Sequence, residues 1–175
     1  MLNDLLKLLP DENSRNIALT ASGMAALLMG SNTLGLTLFG KGIIGLEEDW
    51  RRLHPQFKGG FTERLKHAAE YYEETHKNST NRILHVIGIP MIIGGTAGLI
   101  LLPSIHPIWP LSAGAFALGW TLNLIGHYFF EHNRPAFFQD PFSFVAGPLW
   151  ELKRIFSKEG TSIKERALIN EAATR

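Results

Sequence analysis

Seven histidines stand in a chain that has no cysteine. Thiolate zinc sites, iron–sulfur clusters, disulfide frameworks and cysteine nucleophiles are therefore excluded. Any metal or redox chemistry falls to imidazole and carboxylate. Two of the histidines are in costly positions. His85 and His127 lie inside Ile83 to Phe130, a long run without a single Asp, Glu, Lys or Arg. Ionisable groups in so apolar a stretch are functional candidates by default. Glu131 follows His127 by four residues, so a helix puts both on one face. His76 comes nine residues before His85. Three imidazoles and one carboxylate can then converge at one level. Such a set suits a borderline divalent ion, namely iron, zinc or manganese. The several H-x-x-H-H clusters of a di-iron membrane hydroxylase are absent, so one metal fits better than two. A haem clamped between two of the histidines is the first alternative. The second is a non-catalytic scaffold in which these residues only join helices.

The elements that must position these groups follow from the charge pattern. Pro103-Ser104-Ile105-His106-Pro107 divides the long run into Ile83–Leu102 and Ile108–Phe130. Each part is long enough to cross a hydrocarbon core of roughly 30 Å at about 1.5 Å per residue. Joined by so short a turn, they form an antiparallel transmembrane hairpin. His85 is third in the first span and His127 fourth from the end of the second, so they share a depth. Eight Lys/Arg precede the hairpin from Lys41 to Arg82, seven follow it from Glu131, and the turn has none. The positive-inside rule therefore puts both flanks in the cytoplasm. A buried hairpin in a soluble helical protein is the competing reading.

A second run, Asn16 to Gly40, is also free of charge. Within it Ile17–Phe39 is long enough to span, yet polar residues and a Gly30-Ser31-Asn32 break interrupt it. It is expected as a further span or as a re-entrant pair of short helices. The preceding residues are more acidic than basic and no A-x-A site follows, unlike a cleaved signal. Phe61 to His76 reads as a polar helix with Leu65, Ala69 and Tyr72 on one side. Ser79 or Thr80 is expected to N-cap the helix after it. Pro141 and Gly147-Pro148 predict an irregular stretch. Leu149, Leu152, Ile155 and Phe156 then recur at helical spacing, with Lys153, Arg154 and Lys158 opposite. That helix either lies on an anionic membrane surface or packs on its own domain. His54, His67 and His106 read as solvated surface, and His132 points about 100° away from Glu131 on a helix.

The expected fold is thus all-α, an integral membrane protein with flanking cytoplasmic or interfacial helices. Its parts are an accessory segment at 1–55, a membrane domain at 56–160 and a polar tail at 161–175. With 17 Lys+Arg against 16 Asp+Glu, the net charge of +1 gives no field toward nucleic acid. A 45% hydrophobic content excludes disorder. The mean hydropathy of +0.03 averages two populations, since all the charge lies outside the two apolar runs.

Longer motifs carry a resemblance. Tyr71-Tyr72-x3-His76, Thr80-Asn81-Arg82-x-Leu84-His85-x2-Gly88, Trp120-x4-Ile125-Gly126-His127-Tyr128-Phe129-Phe130-Glu131-x-Asn133-Arg134-Pro135-Ala136 and Pro141-x-Ser143 occur in order. Over roughly Phe61 to Phe156 the chain resembles the Mpo1-like family of small membrane proteins. Its yeast member is a 2-hydroxy fatty acid dioxygenase of the endoplasmic reticulum. The resemblance implies an iron(II)-dependent, α-ketoglutarate-independent dioxygenase with Fe(2+) as cofactor. It would use molecular oxygen to shorten a 2-hydroxy fatty acid by one carbon. The family's essential histidines fall on His76, His85 and His127, and its motif glutamate on Glu131, as metal-binding and catalytic residues. Asn81 and Tyr72 fall on positions that would support a ligand histidine. Arg134 or Arg82 could pair with the substrate carboxylate. The implied setting is a lipid bilayer, the inner membrane of a bacterium or the endoplasmic reticulum of a eukaryote, with a homo-oligomer left open. Two departures stand out. Phe144-Val145-Ala146-Gly147-Pro148 replaces an acidic, Arg-containing run of short bacterial relatives, and the segment 1–55 has no counterpart in them.

Overall fold

A computed structural model describes residues 9–156, and the described residues are helical with no strand. The first helix, α1, runs Glu12–Leu28 and is N-capped by Asp11, whose carboxylate accepts from the Ser14 amide at 2.7 Å. Gly30, at φ 76°, supplies the left-handed residue that reverses the chain. The second helix, α2, returns over Asn32–Leu53. Glycines let the two helices close together. A Cβ on Gly23 would overlap the Phe39 backbone, and one on Gly42 would overlap Thr20. The Ile17–Phe39 run is therefore not one span. It folds back on itself at the Gly30 break.

The next helices are α3, Phe61–Glu74, and α4, Ser79–Leu101. Neither Ser79 nor Thr80 caps α4. Asn78 does, its side-chain oxygen accepting from the Thr80 and Asn81 amides. The fifth, α5, spans Trp109–Ile125 and widens into a π-helical turn over Gly126–Glu131. A short 3-10 turn at Ala136–Phe138 leads to α6, Ser143–Phe156. Gly147-Pro148 is thus helical rather than irregular. Helix α6 packs on its own domain, with Gly147 against the Tyr72 ring and Leu149 exposed. The expected tail at 161–175 lies outside the described residues, as does Lys158.

Helices α4 and α5 pack antiparallel. Gly88 faces Gly119 and Asn123, Gly95 faces Phe116, and Gly98 faces Ser112. The limits of α4 lie close to the 83–102 expected, while α5 ends at Ile125, short of the 108–130 expected. The turn of the α1–α2 pair sits beside the turn of this hairpin: Asn32 Nδ2 donates to Ile100 O at 3.0 Å, and Gly30 abuts Ser104. Leu27, Leu99 and Phe116 form the buried core between the two pairs. Among the described residues, one helix, Ser79–Leu101, is long and apolar enough to cross a membrane. The second half of the long charge-free run, Ile108–Phe130, divides between α5 and the π turn. Ile83, Ile87, Ile93, Leu111 and Leu118 are all exposed on the α4–α5 surface.

At the other end, a fully buried cation ties the layers together. The Arg64 guanidinium is 0% exposed. It donates to both Asp140 oxygens at 2.8 and 2.6 Å and to Glu47 of α2 at 2.9 to 3.2 Å. It also lies 3.5 Å from the Trp50 ring centroid. His54 and His67 both border this cluster, and the His67 side chain stays 43% exposed, at the surface as expected. His54 stacks on Trp50 at 4.2 Å, and His67 meets Trp50 edge-on with Nδ1 3.3 Å from Asp140. His106 does sit in the hairpin turn, where it accepts from the Ile108 amide, and His132 is exposed. Arg64→Ala leaves Asp140 buried without its fork, so unfolding should become easier by about 3–5 kcal/mol. A thermal melt of the full chain should show a fall of roughly 6 to 20 °C. A fall of no more than about 2 °C would contradict this role.

Candidate metal centre

His76 follows α3, His85 lies nearly two turns into α4, and His127 is the second residue of the π turn after α5. All three side chains are buried. Their ring centroids form a near-equilateral triangle with edges of 4.7, 4.7 and 4.9 Å, each pair edge-to-face. One ring nitrogen from each lies within 4.8 Å of the other two.

The outer nitrogens explain how the rings are aimed. His76 Nδ1 donates to Tyr72 O at 2.7 Å, and His85 Nδ1 donates to Asn81 O at 2.9 Å. Both acceptors are carbonyls of the preceding turn, so each Nδ1 must carry the proton. His127 Nδ1 donates to Asn133 Oδ1 at 2.7 Å. The orientation of that amide is set by its other end, where Nδ2 donates to Thr75 O at 2.9 Å. With three Nδ1 protons committed, the three Nε2 lone pairs are the ones left to face inward. Nε2 of His76 is buried with no hydrogen-bond partner. A neutral imidazole trio with an orphaned acceptor at its centre fits a divalent cation, which takes imidazole lone pairs. Burial foremost, then the neighbouring His85 and His127, holds the His76 pKa far below the ordinary histidine value despite the bond to Tyr72. The ring is therefore an unprotonated donor at neutral pH.

The supporting residues have distinct tasks. Tyr72 offers its carbonyl and stacks its ring on His76 at 3.7 Å. Asn81 supports His85 through its backbone carbonyl, not its side chain, which donates to Glu131 at 2.9 Å. Glu131, expected as a fourth ligand, turns its oxygens elsewhere. Oε1 accepts from the Lys77 amide at 2.8 Å and Oε2 from the Asn78 amide at 2.9 Å. Partial burial opposes its charge, but these amides and Asn81 outweigh that and keep the carboxyl pKa below its ordinary value. The carboxylate thus pins the 77–78 loop, which holds His76 against α4.

A cavity of about 470 Å³ opens from the triad. His76, His85 and His127 line one part of it, and apolar side chains line most of the rest. Asn123 and Ser143 also line it, and their Oδ1 and Oγ are buried with no hydrogen-bond partner. Neither Arg82 nor Arg134 is part of that wall. Arg134 is exposed, while the Arg82 guanidinium lies 5.1 Å from the Trp150 ring and adds positive charge near His76. Sequence reasoning passes over Asn133, Asn123 and Ser143 as functional residues. An amide one helical turn before His127 in an otherwise apolar span is the available signal for Asn123.

A family profile described as "2-hydroxy-palmitic acid dioxygenase Mpo1-like" matches residues 62–159. No curated protein and no solved structure matches the chain. The matched segment contains the triad, Glu131, Asn133, Asn123 and Ser143, and leaves α1 and α2 outside it. The chain with this histidine centre belongs to the Mpo1-like family.

Proposed function

We propose that the chain is an iron(II)-dependent dioxygenase of 2-hydroxy fatty acids, working at the cytoplasmic face of a membrane. The observation that carries this reading is the inward-aimed imidazole trio at one part of a long apolar cavity. His76, His85 and His127 would hold the ion through Nε2, with Tyr72 O, Asn81 O and Asn133 keeping the rings aimed. Bound there, iron(II) supplies the open-shell chemistry that dioxygen requires. The protein supplies the rest. Apolar walls take the acyl chain and exclude water from the reacting end. Asn123 and Ser143 would offer hydrogen-bond partners to a 2-hydroxyl or carboxylate, whereas neither Arg82 nor Arg134 lines the cavity. Glu131 acts as a positioning residue for the His76 loop. One dioxygen breaks the C1–C2 bond and balances as shortened acid, carbon dioxide and water, so no external reductant is needed.

The membrane setting rests on the apolar α4, the exposed aliphatic surface of α4 and α5, and the basic flanks. A substrate with its tail in lipid and its head at the interface would meet the histidines at the depth of the charged end. A haem clamped by two histidines fits less well, because the third imidazole closes the gap between them.

Ala in place of His85 or His127 should abolish both bound iron and 2-hydroxy acid-dependent oxygen uptake. Elemental analysis of anaerobically purified protein checks the first and an oxygen electrode the second. Full iron content in either variant would contradict the ligand assignment. Asn133→Ala keeps all three ligands but frees the His127 ring, so iron affinity should fall about 10–100-fold. Unchanged affinity in a metal titration would show that the amide does not aim the ring. The neutral His76 also makes stability pH-dependent. Its folded pKa is lowered, so its contribution is complete above the unfolded value of about 6.5 and is lost as pH falls below it. The melting temperature of the metal-free chain should therefore drop as pH is lowered from about 7 to about 5. A rise over that range would contradict the burial of a neutral ring.

A further inference from the structure

The cavity extends far past the triad. Ile89, Ile93, Thr96 and Ile100 of α4 all line it. From His85 to Ile100 the wall follows 15 helical steps, about 22 Å at about 1.5 Å each. At Ile100 it meets the packed core of Leu27, Leu99 and Phe116. A long apolar space with chemistry at one end and packed core at the other suits an unbranched acyl chain.

The wall also contains a cluster of four aromatic rings away from Tyr72, namely Phe39, Trp120, Phe137 and Phe144. They touch in sequence: Phe39–Phe144 and Phe137–Phe144 at 5.3 Å, and Trp120 against Phe137 and Phe144 at 5.6 Å. Three of them belong to the family-matched segment. Phe39 does not. It comes from α2, before the match begins at residue 62. Its place is fixed from behind, because Gly23 of α1 brings the helix backbone directly against the backbone of Phe39. The accessory pair α1–α2 therefore does more than pack beside the core. It puts a ring into the substrate space.

We propose that the α1–α2 pair selects the length of the acyl chain, with Phe39 as a specificity-determining contact and the wall from Thr96 to Ile100 as the stop. The site would favour long, unbranched chains that reach past the aromatic cluster. This inference rests on the reading of the cavity as an acyl site, so its test separates the two. The full-length protein is mixed with plain fatty acids of short, medium and long chain, and retention is read by native mass spectrometry. Oxygen uptake is then measured with the matching 2-hydroxy acids. The wild type should retain long chains over short ones. Phe39→Ala should reduce that discrimination about tenfold. Ala97→Phe, which fills the distal wall, should lose long chains and keep short ones. Phe39→Leu gives the same direction of change should the Ala variant not fold. Unchanged length profiles in these variants, with 2-hydroxy acids still consumed, would overturn the inference and leave the dioxygenase reading standing. Shifted profiles with no 2-hydroxy acid consumed would support the inference and overturn that reading.

Discussion

A buried neutral imidazole has one proton and two nitrogens, and its neighbours decide which nitrogen keeps it. In this chain that choice is made three times by hydrogen bonds at Nδ1, to Tyr72 O, Asn81 O and Asn133 Oδ1. Reverse any of them and the matching Nε2 would carry a proton into the centre of the triad. The cluster would then be a knot of donors rather than a site for a cation. Two of the three acceptors are main-chain carbonyls four residues earlier, so a side-chain substitution cannot remove them. Only the third, the Asn133 amide, depends on a side chain, and it is anchored in turn by Thr75 O.

The fold is arranged around keeping those rings at one level. The α4–α5 hairpin supplies two of them, and glycines at 88, 95, 98 and 119 bring its helices close enough for His85 and His127 to meet. The third comes from outside the hairpin, so a separate device must hold it. Glu131 provides one, joining the end of the π turn to the Lys77 and Asn78 amides beside His76. Asn78 completes the joint by capping α4 and donating to Phe130 O at 3.0 Å. Farther out, the buried Arg64 fork connects α3 to α2 and to the Asp140 loop, so the accessory helices are held at both ends. A six-residue π turn at this point fits a common pattern, in which such departures from α geometry occur at functional positions.

Much of this is legible in the residues. Charge-free runs locate both hairpin helices, and matched depth alone brings His85 and His127 together. His76 joins them because nine residues allow a short turn back to the same level. The role of Glu131 is not legible. Four-residue spacing says that a carboxylate lies near a histidine, but not which neighbour wins its oxygens, and two free amides at a helix start are stronger competitors than an imidazole. The capping residue of α4 is missed by one position because Ser, Thr and Asn are all good caps and stand side by side. The stretch expected as irregular at Gly147-Pro148 is helical, and Gly147 there admits the Tyr72 ring, a tertiary contact invisible in local sequence. The aromatic cluster joins residues from positions 39 to 144 and cannot be read from spacing.

The proposed centre is three imidazoles that share one iron(II). X-ray absorption at the iron edge, on full-length protein loaded anaerobically, tests this most directly. One tightly bound iron per chain, with the outer-shell scattering of three histidine rings, is the predicted result. A porphyrin-type shell, a shell of oxygen ligands alone, or no retained iron would contradict it.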